Sequence, residues 1–199
     1  INDAEATSSV NTIYLNRDNK IVGENIDVYG FDYSFINKLK DKNLFKKNIL
    51  ILGAGGVTPS IIHALAKKNV KKIFVSNRTV KKAENIKKKY PHIKIILWEN
   101  IENESEDMDV IINATSLGTK NGSSFTFLIK KFKAELIYYD IIYNPLKTPM
   151  LKNFDEKKIE TFNGLEMFLY QGQKSFYLWN RINPAVNEEL KKIIIFNLK

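Results

Sequence analysis

The stretch NILILGAGGVTPS (residues 48–60) decides the fold of this chain. It consists of an aliphatic run, three glycines within four positions, and the start of a helix with Pro59 in its first turn. Such a strand, turn and helix are typical of proteins that hold a phosphate group at the helix N-terminus. The third glycine of the usual fingerprint is replaced by Thr58, so a tight turn without a ligand is an alternative interpretation.

Apolar runs alternate with amphipathic stretches from Asn48 onward. Strands are predicted over 48–53, 71–77, 93–98, 108–115, 134–143 and 158–163, with helices over 58–69 and 80–90. Strands that are apolar nearly throughout, alternating with helices, predict the α/β class and a Rossmann-like, doubly wound parallel sheet. We expect this sheet to form a domain of its own over residues 30–163.

The chain before this sheet has a different pattern. Residues 1–10 show neither a clear helix start nor a strand, whereas 10–15 and 20–25 flank the turn NRDN and predict a strand pair. A helix over 29–42 is expected to cross between domains. We therefore predict that residues 1–29 belong to a different, incomplete domain.

The chain after the sheet reads as helical. Helices are predicted over 165–180 and 185–196, separated by the break at Asn183-Pro184. We expect residues 164–199 to form a helical segment after the sheet.

Composition limits the classes of function. The 199 residues are 44% hydrophobic and 27% charged, with no cysteine, two histidines and no apolar run long enough for a membrane helix. We therefore expect no metal site and no membrane partner, and a cytoplasmic location. The net charge of +9 comes from dispersed lysine pairs rather than a basic block with aromatics, so we do not expect a nucleic-acid partner.

The end of the second predicted strand indicates the cofactor. In an NAD site an acidic residue there binds the ribose 2′-hydroxyl, but this chain has Asn77, followed by Arg78, Lys81 and Lys82. A guanidinium binds a phosphate through two hydrogen bonds, whereas a carboxylate repels it. The pattern therefore favours NADP over NAD, with a solvated basic helix start as the alternative.

Seven segments in order resemble the shikimate dehydrogenase family. They are VNTIYL, GENIDVYGF, GAGGV, SNRT, NATSLG, YDIIYNPLKTPML and NGLEMFLYQGQKSFYLW. The resemblance runs from about Val10 to about Leu190. It implies a two-domain enzyme that reduces 3-dehydroshikimate to shikimate with NADPH, in the route through chorismate to the aromatic amino acids, as a monomer or homodimer. It also implies the roles of the domains. Residues 1–29 would be the end of an incomplete, smaller α/β substrate domain, residues 30–163 the NADP-binding Rossmann domain, and residues 164–199 helices that pack back toward the substrate domain.

The resemblance also implies roles for individual residues. Asp27 would be the carboxylate of a catalytic Lys–Asp pair, and the substrate would be bound by Asn11, Asp27, Tyr143 and Gln171. Further residues would bind the cofactor: Gly53, Ala54, Gly55, Gly56, Val57, Asn77, Arg78, Thr79, Lys82, Thr115, Ser116, Gly164 and Met167.

The chain departs from the family pattern at two positions. Ile26 stands where the family usually has threonine, which removes a hydroxyl beside Asp27. Lys82 stands where arginine is more usual, which keeps the charge but loses the planar fork.

The segment that would carry the catalytic lysine and a Ser-x-Ser substrate clamp is expected upstream of Ile1, and no lysine of this chain is assigned to that role. Two alternative functions follow. One is a quinate/shikimate dehydrogenase that uses NAD, and the other is a non-catalytic NADP-binding fragment.

Overall fold

A computed structural model describes residues 2–125, 127 and 129–198. The chain begins with helix α1 (Asp3–Thr7), the antiparallel strands β1 (Thr12–Leu15) and β2 (Ile21–Glu24), and helix α2 (Asp27–Ser34). The expected strand pair is confirmed. Helix α1 was not predicted, although Asn2 caps it by accepting a hydrogen bond from the backbone N–H of Glu5.

Six parallel strands form the main sheet. They are β3 (Asn48–Leu52), β4 (Lys72–Ser76), β5 (Lys94–Ile95), β6 (Val110–Asn113), β7 (Ile137–Asp140) and β8 (Glu160–Phe162). Their order is β5-β4-β3-β6-β7-β8, which is the doubly wound arrangement. The predicted fold class is therefore confirmed. The direction of strand addition reverses between β3 and β6, and ligands bind at the carboxyl ends of strands at such a point.

Helices cover both faces of this sheet. They are α3 (Thr58–Lys67), α4 (Val80–Lys89), α5 (Ile101–Glu104), α6 (Pro149–Glu156) and α7 (Leu165–Asn180). A further helix, α8 (Glu188–Asn197), has no buried residue and is joined to α7 by the ion pair between Lys191 and Glu166 at 2.7 Å. Alternate residues of β3 face opposite sides: Ile49 and Ile51 belong to one core, and Leu50 and Leu52 to the other. The sheet is thus buried on both faces, as its apolar strands predicted.

Three elements differ from the sequence-based expectation. The helix expected over 29–42 is α-helical only to Ser34 and continues as a tighter 3₁₀ helix over Ile36–Lys42. The strand expected over 93–98 is paired only at 94–95, because Trp98 already begins a 3₁₀ turn. Helix α6 was not predicted, although Thr148 caps it and Pro149 lies in its first turn.

The N-terminal segment packs on the helices of the main sheet. Asp3 pairs with His63 of α3 at 3.1 Å, and the Tyr90 hydroxyl donates a hydrogen bond to the carbonyl of Ala6. Strand β1 contacts α7, where the hydroxyls of Thr12 and Ser175 are 3.1 Å apart. These contacts join the strand pair to α7, while the predicted domain limits stay a prediction.

Within the described part of the chain, no helix is both long and apolar enough to cross a membrane. Over the same residues, no cluster of three or more His, Cys, Asp or Glu side chains has an arrangement suited to a metal ion.

Candidate active site

The glycine turn leaves open space where α3 begins. Gly53 has φ +112°, and a Cβ there would lie 2.7 Å from the carbonyl oxygen of Ala114 on the neighbouring strand end. Only glycine fits this turn without strain. By contrast, a Cβ at Gly55 or Gly56 would meet nothing within 4 Å. No side chain caps α3, although the N–H of Thr58 donates to the carbonyl of Gly55 at 3.2 Å and Pro59 has no N–H. The partial positive charge of the helix N-terminus remains beside that space.

Asn77 connects the glycine turn to the end of β4. Its side-chain oxygen accepts from the N–H of Ala54 at 3.0 Å, and its side-chain nitrogen donates to the carbonyl of Thr79 at 2.9 Å. Asn77 was predicted to contact the cofactor. In the structure, its amide group joins the glycine turn to the segment that follows β4.

Arg78 and Lys82 provide positive charge beside this junction, and both are exposed. None of the ion pairs between residues that the structure describes involves either one. Lys81, in contrast, pairs with Glu84 at 3.4 Å. The two cations are therefore available to an anionic ligand.

The carboxyl ends of β6 and β7 are fixed by a buried carboxylate. Asp140, which is fully buried, accepts hydrogen bonds from the side chains of Asn113, Thr148 and Tyr138 and from the N–H of Ile142. Burial raises the pKa of Asp140 to about 6, although these hydrogen bonds lower it. Asn113 in turn accepts from the hydroxyl of Thr115 at 2.7 Å, so Asp140 indirectly sets the loop that carries Thr115.

The glycine turn, the segment after β4 and the loop after β6 surround one crevice of about 460 Å³ at the switch point of the sheet. Nine of the residues predicted to bind cofactor line it: Gly53, Ala54, Gly55, Asn77, Arg78, Thr79, Lys82, Thr115 and Ser116. Sequence reasoning missed five other lining residues, which are Trp98, Ala114, Leu117, Ser123 and Ser124. Trp98 is the last residue of the strand predicted over 93–98, so the residue pattern gave no signal that it lines a crevice.

The remaining predicted cofactor residues lie elsewhere. Gly56 and Val57 belong to the glycine turn but do not line this crevice. Met167 is 6% exposed and packs in the core. Gly164 lies against the chain after β7, where a Cβ would overlap the carbonyl of Ile141. The structure therefore does not bring Gly164 and Met167 together with the nine, and their predicted role near the nicotinamide stays a prediction.

The predicted catalytic carboxylate begins helix α2. Asp27 is half-buried, and burial raises its pKa while a hydrogen bond from the Asn11 side chain acts in the opposite direction. Asn11 also accepts from the N–H of Ile26 at 2.9 Å. The structure thus brings Asn11 and Asp27 together as predicted. No ion pair between described residues includes Asp27.

Asn25 is a site residue that sequence reasoning missed. It is 1% exposed, and its side-chain oxygen accepts from the N–H groups of Asp27 and Val28. It therefore caps α2 and sets the position of Asp27. An asparagine two residues before a helical aspartate is a recognisable capping signal.

Gln171 lies on α7, and Tyr143, which follows β7, packs against the same helix. Tyr143 stacks on Phe168 with ring centres 4.5 Å apart, and the Gln171 side chain donates to the carbonyl of Phe168 at 2.9 Å. Both predicted substrate residues thus contact Phe168. Helix α2 crosses α7 closely, because a Cβ at Gly30 would lie 2.8 Å from the carbonyl of Met167 and 3.1 Å from the Cβ of Gln171.

The crevice fits a dinucleotide. Open space at Gly55 and Gly56, an uncapped helix N-terminus and unpaired cations are the features that a pyrophosphate and a further phosphate require. Fold and site therefore define a dinucleotide-binding α/β protein.

Comparison with known proteins specifies the family. Residues 36–141 match the family model of shikimate / quinate 5-dehydrogenase. An NADP(+) shikimate dehydrogenase of Pelagibacter ubique is 46% identical over 94% of this chain and 68% of its own length. The chain belongs to the shikimate dehydrogenase family.

Two solved structures agree with this assignment. A shikimate dehydrogenase in complex with NADP+ has a TM-score of 0.85 and 30% identity, covering 100% of this chain and 70% of that one. A Listeria monocytogenes shikimate 5-dehydrogenase, in complex with shikimate and NAD, has a TM-score of 0.79 and 30% identity, covering 96% and 70%. The chain spans about two thirds of the length of these relatives.

The predicted family and oxidoreductase class are thereby confirmed. The relative's name and the solved NADP+ complex also support the predicted cofactor, NADP.

Proposed function

We propose that this chain binds NADPH in the crevice at the switch point and takes part in the reduction of 3-dehydroshikimate to shikimate. The proposal that NADPH binds here rests on one observation. The open space at Gly55 lies in the same crevice as two cations without an ion-pair partner among the described residues, Arg78 and Lys82. A 2′-phosphate distinguishes NADP from NAD, and a free guanidinium beside the crevice suits that group. The names of the relatives point the same way.

The substrate side rests on Asn11, Asp27, Tyr143 and Gln171. When bound, NADPH supplies a hydride to the carbonyl carbon of the substrate. The carbonyl oxygen then gains negative charge and needs a proton and a nearby positive charge. Asp27 is suited to hold an ammonium group at that oxygen, because a partly buried carboxylate is stabilised in its charged form by a close cation. The amide of Gln171 and the hydroxyl of Tyr143 offer hydrogen bonds to a polyol.

A second candidate is an NADP-binding fragment without turnover. The observation that favours it is the absence of any ion pair at Asp27 among the described residues. The ammonium partner would then have to come from outside this chain. Use of NAD with quinate or shikimate is disfavoured by Arg78, because an exposed guanidinium gains little from a 2′-hydroxyl.

The test combines binding with turnover. Calorimetry with NADPH and NADH measures the cofactor preference, and the absorbance of reduced nicotinamide follows shikimate oxidation by NADP+. We expect NADPH to bind at least about tenfold more tightly than NADH. Binding without turnover would support the second candidate, the non-catalytic NADP-binding fragment. Equal affinity for both cofactors would overturn the NADP assignment.

If turnover occurs, Asp27→Asn should lower kcat by about a hundredfold, a typical contribution of an acid–base group. Asp18→Asn, in the exposed turn between β1 and β2, is the matched control and should leave kcat unchanged. Equal rates for the two variants would remove Asp27 from the mechanism.

A further inference from the structure

Trp98 is the aromatic residue among those that line the cofactor crevice. It is half-buried and begins the 3₁₀ turn directly after β5. Trp98 packs partly against the core that contains Leu50 and Leu52, and it also lines the crevice beside the cations.

Trp98 and Arg78 both follow the carboxyl ends of neighbouring strands. Val75 of β4 is paired with Ile95 of β5, and the two strands are parallel. Arg78 follows Val75 by three residues, and Trp98 follows Ile95 by three. The two side chains therefore leave neighbouring strands at the same edge of the sheet and line the same crevice.

The chemistry of NADP requires a base next to its extra phosphate. The 2′-phosphate and the adenine are attached to adjacent carbons of one ribose ring, so a phosphate held at Arg78 brings adenine within one sugar of it. An adenine presents a flat aromatic face, and aromatic side chains are the usual stacking partners of bases. The crevice residues Ala114, Thr115 and Ser116 are small enough to leave room for a flat ring.

The indole of Trp98 is itself held in place by aromatic contacts. The Phe125 ring lies nearly parallel to it, at 17° with centres 6.3 Å apart. The Phe127 ring meets it edge-on at 5.4 Å and 74°. A stacking surface that is already fixed loses little conformational entropy when a ligand binds.

We propose that Trp98 is the surface on which the adenine of NADP stacks, and that it determines affinity for the adenosine half of the cofactor. This inference rests on the proposed function, because it assumes that a dinucleotide occupies the crevice. It adds a residue outside the glycine turn and the cationic segment.

Fluorescence tests the proposal, because the chain has two tryptophans, Trp98 and Trp179. Trp179 is 60% exposed and lies on α7, where its indole N–H donates to the carbonyl of Ile13. In the variant Trp179→Phe, all tryptophan emission comes from Trp98. We expect 2′,5′-ADP, which carries the adenine and the 2′-phosphate, to quench that emission, and nicotinamide mononucleotide to leave it unchanged.

The reciprocal variant Trp98→Phe keeps only Trp179 and should show no quenching by 2′,5′-ADP. Trp98→Ala should weaken 2′,5′-ADP about tenfold by calorimetry, and Trp98→Phe much less, because phenylalanine also stacks. The Trp98→Phe variant also serves as a folding control for the aromatic cluster that residue 98 forms with Phe125 and Phe127.

The outcomes distinguish failure of the stacking inference from failure of the proposed cofactor. Calorimetric binding of 2′,5′-ADP with no change in Trp98 emission would overturn this inference and leave the proposed cofactor intact. A lack of binding by both 2′,5′-ADP and NADPH would overturn the proposed cofactor, and this inference with it.

Discussion

The Ser60 hydroxyl donates a hydrogen bond of 3.2 Å to the side-chain oxygen of Asn25. This contact joins the first turn of α3, which follows the glycine turn, to the start of α2, which begins with Asp27. Both residues are buried, with exposed fractions of 1% for Asn25 and 0% for Ser60. The predicted catalytic carboxylate and the predicted cofactor turn are thus connected through two side chains.

We expect Asn25→Ala to lower the free energy of unfolding by about 2 to 3 kcal/mol, because it removes the cap of α2 and leaves buried donors without a partner. Ser60→Ala should cost about 1 kcal/mol, since Asn25 keeps its backbone partners. Urea denaturation measures both values. Asn180→Ala, at an exposed position, is the control and should stay within about 0.5 kcal/mol of the parent chain. Equal stability of the Asn25 variant and the parent would contradict this network.

Gly53 and Gly55 should respond in opposite ways to alanine. Gly53→Ala forces a Cβ to 2.7 Å from the carbonyl of Ala114 at a positive φ, so we expect a loss of about 2 kcal/mol or more in stability. Gly55→Ala meets no protein atom within 4 Å and should leave the thermal midpoint nearly unchanged.

The same pair separates folding from binding. Because the added methyl group at position 55 projects into the space assigned to the pyrophosphate, Gly55→Ala should weaken NADPH by about tenfold or more. Calorimetry and thermal unfolding of the two variants provide the measurements. Full NADPH affinity in Gly55→Ala would place the pyrophosphate elsewhere.

Arg78 should govern the choice between the two nicotinamide cofactors. Arg78→Ala is expected to weaken NADPH by about tenfold to a hundredfold, the range for hydrogen bonds to a charged group, and to change NADH affinity little. Lys81→Ala is the matched control, because Lys81 is paired with Glu84. Calorimetry of each variant with both cofactors checks this, and a parallel loss for NADPH and NADH would count against a 2′-phosphate at Arg78.

Asp140 should give the fold a pH dependence of defined sign. Its pKa is about 6 in the folded chain, against a reference value of 3.8. Between these values the folded state holds a proton that the unfolded state has released, so stability falls as pH rises from about 4 to about 6 and then levels off. The loss amounts to roughly 3 kcal/mol.

Asp140→Asn removes this titration without changing the shape of the side chain. The asparagine oxygen can still accept from Asn113 and Ile142, while its N–H₂ group donates to the hydroxyls of Thr148 and Tyr138, which also accept. Urea denaturation between pH 4 and pH 7 should therefore show a smaller fall in stability for the variant than for the parent. Identical pH profiles would assign the dependence to other groups.

Most of the main sheet could be predicted because its signals are local. The runs around β3, β4, β6 and β7 are apolar throughout, which is what burial on both faces requires. The length of β5 was overestimated, because the residues after it continue the apolar pattern: Ile96 is buried, and Leu97 and Trp98 are apolar. The strand pairing nevertheless ends at Ile95. Hydrophobicity alone does not mark where a hydrogen-bonded ladder stops.

The site was predictable only where neighbours in sequence are neighbours in space. The glycine turn and the segment from Asn77 to Lys82 are continuous motifs with a direct chemical meaning. Trp98 and Ser124 reach the crevice through the order of the strands and the course of a loop, which a residue pattern does not contain. Asp140 lies inside the strand predicted over 134–143 and was not singled out, because its partners Asn113 and Thr148 are brought to it only by folding.

The crossing at Gly30 has a mechanical consequence for the substrate side. Because the backbones of α2 and α7 approach there without an intervening side chain, the two helices are in direct contact. Asp27 lies at the start of α2, and Gln171 lies one turn beyond Met167 on α7. A larger side chain at position 30 would therefore push the two helices apart and separate the predicted catalytic carboxylate from the predicted substrate amide.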